Sequence, residues 1–336
     1  MNKVVSAAML SMALLVSACT TPNKEPASPP KELQVIVFPG GFNWPIWAGL
    51  EKGLFARQGV LPKITPTPNS RFQLTGLIDG KFDIAMTAVD NIVAYREGQG
   101  GVDTNGSELV AVMGGDNGFL RLVGREDIKQ VADFKGKQLS VDSLTTGYAF
   151  VLLEILERNG LVLNRDYQTV AAGGVLQRYD GLVERKHAGT LLVSPFEVMA
   201  KSKGLNQVVD ASSALGSYQG LVAGVRRSWA AANQTQVVAY IRGYQDATAW
   251  LYDPKNKEEA LALFMKNVPN STRQSAEVSY SVLLAPQSGF QKNAAIDKTG
   301  VQTVLNLRQK YGQPKRAIGG VDSYYDSRYF DQAIQR

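Results

Sequence analysis

Several short segments carry residue types whose spacing suits recognition of a small molecule. Gly40-Gly41-Phe42-Asn43-Trp44 sets a carboxamide between two aromatic rings, just after two glycines. The glycines allow close backbone approach, Asn43 both donates and accepts, and Phe42 and Trp44 each offer a flat apolar face. The plain alternative is a Gly-Gly turn with Trp44 filling the core. Thr87-Ala88-Val89-Asp90-Asn91 adds a hydroxyl at Thr87 and an amide at Asn91, with Asp90 either at the site or capping the next helix. Asp116-Asn117 either orients a solute or makes a turn.

Asp142-Ser143-Leu144-Thr145-Thr146-Gly147-Tyr148 has the strongest chemistry of these segments. It leads from a strand into a helix whose free backbone N–H groups and positive dipole end favour an anionic or carbonyl-rich group. A plain N-cap needs one hydroxyl, and Ser143, Thr145 and Thr146 provide more. Ser194-Pro195-Phe196 ends another strand in the corresponding way, divided between solute contact and local turn chemistry.

The elements that must position these loops alternate between short apolar strands and helices, the pattern of an α/β protein with largely parallel sheets. Gln34–Phe38, Phe82–Thr87, Leu109–Met113, Gln138–Asp142, Gly189–Ser194 and Gly220–Val225 read as strands. Trp44–Lys52, Arg71–Asp79 and Gly147–Asn159 read as helices, the last with Val151, Leu152, Ile155 and Leu156 on one side and Gly160 as its stop. Beyond Val225 the pattern is helical to about Tyr311: Gln236–Leu251 carries an apolar stripe, Asp253-Pro254 breaks it, and Lys257–Lys266 resumes. Such a helical tail suits a chain returning to cover its first lobe.

Other chemistries find no support. The single histidine, His187, follows Glu184-Arg185-Lys186 and reads as exposed surface, without a second histidine to share a metal. Neither a G-x-S-x-G elbow nor a phosphate-binding G-x-x-x-x-G-K-[ST] loop occurs, so no catalytic residue, metal or cofactor is assigned. The 36 basic and 30 acidic residues give a formal charge of +6. They are scattered rather than gathered into a nucleic-acid-binding block.

The N-terminus reads as an export signal over 1–18: a short positive start, an apolar run Val4–Val16, then Leu15-Val16-Ser17-Ala18-Cys19, similar to the bacterial lipobox. The apolar run is too short to span a bilayer. Cys19, the only cysteine, would carry the lipid, leaving no thiol for a disulfide or a nucleophile. Residues 19–31 then form a lipidated flexible linker with Pro22, Pro26, Pro29 and Pro30, able to hold a domain starting near Leu33 roughly 35 Å from the membrane.

Four segments resemble one family when taken in order. Pro45-Ile46-Trp47-Ala48-Gly49-Leu50-Glu51-Lys52-Gly53-Leu54-Phe55, Gly80-Lys81-Phe82-Asp83-Ile84-Ala85, Asp133-Phe134-Lys135-Gly136-Lys137-Gln138-Leu139-Ser140-Val141 and Leu251-Tyr252-Asp253-Pro254-Lys255-Asn256-Lys257-Glu258-Glu259-Ala260 look like the solute-binding proteins of ABC importers. Within these they resemble the group handling nitrate, alkanesulfonates, taurine and thiamine-type pyrimidines. The resemblance implies a two-lobed type II periplasmic-binding-protein fold with mostly parallel sheets. Lobe one is expected at 32–123 plus 226–336, lobe two at 124–225, and the crossings near Phe119–Gly124 and Gly220–Arg226. Thiamine-pyrimidine synthases share that fold but depend on a cysteine-rich motif, which this chain lacks.

The expected function is therefore non-enzymatic. A monomeric lipoprotein, anchored outside the cytoplasmic membrane, captures a small anionic or heteroaromatic solute (sulfonate-, carboxylate- or pyrimidine-like) and delivers it to an ABC permease and its ATPase. No nucleic-acid partner is expected. A sensory or scaffold lipoprotein using the same cleft to signal to a membrane receptor is the alternative, and a structural lipoprotein with a closed cleft a third.

Overall fold

The structure, a computed structural model, describes residues 29–286 and 288–335. The export signal, Cys19 and the linker up to Ser28 lie outside the described residues. The first strand already begins at Lys31, slightly ahead of the expected Leu33.

Among the described residues, ten strands form two five-stranded sheets. They are β1 (Lys31–Val37), β2 (Val60–Pro66), β3 (Ile84–Ala88), β4 (Leu109–Gly114), β5 (Arg121–Gly124), β6 (Gln138–Val141), β7 (Gln168–Ala171), β8 (Gly189–Leu192), β9 (Asn206–Asp210) and β10 (Leu221–Arg226). One sheet has the order β2-β1-β3-β10-β4 and the other β7-β6-β8-β5-β9. Each is the core of one lobe.

Both sheets are mixed, and the reason lies in the crossings. β10 runs antiparallel to both β3 and β4, and β5 antiparallel to both β8 and β9, whereas β1 with its neighbours and β6 with its neighbours are parallel. The reversed strand in each sheet is the one delivered from the opposite lobe. This also moves the lobe boundaries from where the sequence suggests them: β5, most of it counted with lobe one, pairs in the second sheet, and β10, counted with lobe two, pairs in the first. The chain passes between lobes at 115–120 and 216–220, upstream of both expected crossings, because the apolar residues of β5 and β10 are sheet partners rather than connectors.

The helical tail covers lobe one. The Gln234–Tyr252 helix lays Tyr240 on Phe55 with ring centroids 5.3 Å apart, and buries Val237, Ile241, Tyr244 and Leu251. No helix among the described residues is long and apolar enough to cross a membrane.

Candidate functional site

Between the lobes, at the carboxyl ends of the strands, the chain encloses a cavity with about 70 Å³ of room for the centres of water-sized spheres. Loops at strand ends converge there because backbone N–H groups and helix N-termini are left unpaired at that edge. Phe38 and Phe42 follow β1, Ala88 ends β3, and Phe119 lies in the first crossing; Val175 and Val193 approach from lobe two. These apolar walls surround a few polar groups.

Asp116 is the first. It is buried, and its Oδ1 accepts from the backbone N–H of Gly118 (2.8 Å) and of Leu221 (3.0 Å), tying the first crossing to the start of β10. Among the described residues no protein donor reaches its Oδ2. Burial pushes its carboxyl up to about 6, against the opposing pull of those two N–H groups. Asp142, just after β6, accepts the Ser70 hydroxyl across the cleft on Oδ2 (2.9 Å), while its buried Oδ1 has no hydrogen-bond partner among the described residues. Burial raises this carboxyl too, opposed by the Arg178 charge and the Ser70 hydroxyl.

Arg178 faces the same cavity from the Val175–Val183 helix and is buried. Its Nη1 donates to the Leu191 carbonyl (2.6 Å) and the Thr190 hydroxyl (3.3 Å), and its Nε has no partner among the described residues. Burial lowers its pKa, opposed by Asp142 and Tyr148. The Tyr148 hydroxyl, at the cavity wall, is held well above its ordinary pKa, chiefly by burial.

Of the residues expected from sequence, Phe42, Asn91, Asp116, Thr146, Gly147 and Tyr148 line this cavity. The others lie around it. Trp44 is buried against Phe264 (4.6 Å between centroids) and Tyr280 (5.9 Å). Asn43 donates to the Phe38 carbonyl at 2.6 Å and thereby shapes the loop that carries Phe38 and Phe42. Thr87 accepts from the Asn91 amide (2.9 Å), fixing its orientation. Asn117 accepts from Gln291 at 3.4 Å on the hinge side. The Ser143 and Thr145 hydroxyls hydrogen-bond each other at 3.2 Å, and the Thr146 hydroxyl donates to the Ser143 carbonyl at 2.9 Å. Ser194 donates its hydroxyl to Glu197 and accepts the Gly41 N–H across the cleft (2.9 Å). Phe196 packs on Tyr179 at 5.6 Å.

Asp90 has an unexpected setting. It is fully buried in an ion pair with Arg308, whose Nε donates to its Oδ1 at 2.6 Å, and it abuts Gly147 so closely that a Cβ there would lie 2.9 Å from Oδ2. The negative group at this helix N-terminus is thus a side chain of the opposite lobe. His187 is likewise not exposed: the residues just before it are, but it turns inward to enter β8, and its Nε2 donates to the Arg178 carbonyl at 3.0 Å.

Arg178 and Asp142 escaped sequence reasoning as binding groups, yet each left a signal. Val175, Arg178, Tyr179 and Leu182 occupy one helical stripe and all are buried, so Arg178 is a charge set into an apolar face. Asp142 is a carboxylate at the carboxyl end of a buried strand.

A two-lobed α/β chain with a polar-studded cavity between its sheets has the type II periplasmic-binding-protein fold. This one belongs to the NMT1-like family, which matches residues 26–265. Solved structures agree in fold. The periplasmic nitrate-binding protein of Synechocystis PCC 6803 superposes with a TM-score of 0.76 at 13% identity, covering 91% of this chain and 89% of that one. The alkanesulfonate-binding protein of Xanthomonas axonopodis pv. citri, bound to MOPS, gives 0.72 at 14%, covering 90% and 100%. The ligand-binding component of an ABC-type import system from Staphylococcus aureus, with zinc bound, gives 0.72 at 12%, covering 90% and 99%. No functionally curated protein matches the sequence. These neighbours are described as binding proteins, or as the ligand-binding part of an importer.

Proposed function

We propose that this protein captures a small planar solute bearing N–H donors outside the cytoplasmic membrane and passes it to an ABC permease. The observation that carries the solute class is the facing of two carboxylates, Asp116 and Asp142, against one guanidinium, Arg178, in a cavity walled by Phe38, Phe42 and Phe119. A nitrate or sulfonate would meet two carboxylates there, and the helix N-terminus that would otherwise draw it is already occupied by Asp90. Of the two expected solute classes, the heteroaromatic one therefore fits better than the free anion. An amine or ring N–H satisfies Asp116 Oδ2 and Asp142 Oδ1, a ring nitrogen or carbonyl accepts from Arg178, and the aromatic walls take the ring faces.

Delivery to a permease follows the import role named for the Staphylococcus neighbour. The lipobox-like segment supports tethering through Cys19, and we take the tethered form to be a monomer. Native mass spectrometry of gently purified protein, followed by calorimetry with the solute identified, tests the reading. A donor-bearing heterocycle whose affinity falls at least tenfold in Arg178→Met, with the fold intact, is expected, since about 1.5–3 kcal/mol rests on each charge-assisted bond. Recovery of a sulfonate or an inorganic anion would sink the solute assignment.

A further inference from the structure

The Asp90–Arg308 pair lies outside the recognition chemistry of the cavity, and its partners straddle the cleft. Arg308 comes from the Lys298–Tyr311 helix and Asp90 from the Val89–Arg96 helix, both packed on lobe one. Both are fully buried, and Gln99 also accepts from Arg308 (3.2 Å). The guanidinium also reaches the other lobe: Nη2, which donates to Asp90 Oδ2 as well, donates to the Thr145 carbonyl at 2.7 Å, and Cζ lies 4.6 Å from the centre of the Phe150 ring. The Lys298–Tyr311 and Gly147–Arg158 helices continue the contact outward. Lys310 Nζ reaches Glu154 at 2.8 Å and Glu157 at 3.1 Å, and the Tyr311 hydroxyl donates to Glu154 at 2.8 Å.

We propose that Arg308, held by Asp90, is a latch that keeps the lobes closed without any solute. Opening would strip the guanidinium of the Thr145 carbonyl and the Phe150 ring and would withdraw the Asp90 carboxylate from the N-terminus of the Gly147–Arg158 helix. Gly147 makes the fit possible: an added Cβ would lie 2.5 Å from Asp90 Cβ and Cγ. Such an approach is far inside van der Waals contact and exists only when the lobes are together. Arg308 and Gly147 are positioning residues, setting the resting balance between closed and open forms. The inference rests on the two-lobed fold and not on which solute binds, so its test is run with no solute present.

Nitroxide labels at Lys81→Cys and Lys186→Cys, on exposed side chains of opposite lobes, report the inter-lobe distance in a Cys19→Ser background, after carried-over solute is removed by unfolding in guanidinium and refolding. The wild-type latch should give one narrow, short distance. Gly147→Ala obstructs only the closed form, and Arg308→Lys keeps the charge for Asp90 but loses the fork that also reaches Thr145. Each should lower the closed-to-open ratio by about tenfold or more and shift the distribution to longer distances. Alanine suits a helix better than glycine, so Gly147→Ala should fold even where Arg308→Lys does not. A broad, open distribution in the wild-type background, or an unchanged distance in Gly147→Ala, would overturn the latch.

Discussion

Asp116 couples folding, the hinge and the cavity through one carboxyl group. Burial lifts it in the folded protein to about 6 from an ordinary value of 3.8. Between those values the folded state holds more protons than the unfolded one, so stability falls as pH rises. The contribution is fully present below about pH 4 and is lost as pH passes about 6. Glu197, also raised to about 6 chiefly by burial, acts in the same direction. Asp116→Asn keeps an acceptor for the Gly118 and Leu221 N–H groups without the buried charge. In solute-free protein it should be more stable than wild type by on the order of 3 kcal/mol at pH 8, with the gap closing toward pH 4. Urea titrations at both pH values measure this, and a pH-independent gap would refute it. A solute that donates to Asp116 favours the ionised form, so its binding should tighten as pH rises through about 6.

At the scale of elements, the two crossings behave as one packed unit. A Cβ on Gly220 would lie 2.4 Å from Asp116 Oδ1 and equally close to Gly118 Cα, and Gly118 itself has φ of +88°, which favours glycine. Gly220 and Gly118 let the crossings touch, and the Asp116 carbonyl then accepts the Gly220 N–H at 3.0 Å. Gly220→Ala should therefore cost roughly 1–3 kcal/mol by forcing this pair apart. Denaturant unfolding reads the loss directly; a wild-type midpoint would mean that the crossings separate freely.

For the molecule as a whole, closure and tethering make separate demands. A latch that already holds the lobes together leaves solute little further compaction to produce, though solute still stabilises the folded state by mass action. The proposed tether depends on Cys19, which precedes β1 in the chain. Cys19→Ser is expected to abolish metabolic labelling with a radioactive fatty acid, because the sequence has no other thiol; persistent labelling would exclude the lipobox reading. The folded domain should bind its solute unchanged in that variant, since β1 begins only at Lys31.

The alternation of apolar runs with amphipathic segments was sufficient by itself to define an α/β chain with a helical tail, since burial on one face or two leaves a period in the residues. The strands β1, β3, β4, β6, β8 and β10 were legible for that reason. The shorter or more polar edges were not: β7 and β9 lie at the rims of their sheet with half-exposed residues and no continuous apolar run. Several cavity residues could be read from loops at strand ends, where Phe42, Thr146 and Tyr148 stand next to glycines or a helix start. What only tertiary structure decided is which groups meet. Asp90 and Arg308 are separated by most of the chain, and a carboxylate that locally looks like a helix cap becomes the anion at the N-terminus of a helix in the other lobe. Arg178 and Asp142 became cavity groups in the same way, because charges enter a closed interface only where partners from distant segments receive them, and no local pattern records those partners.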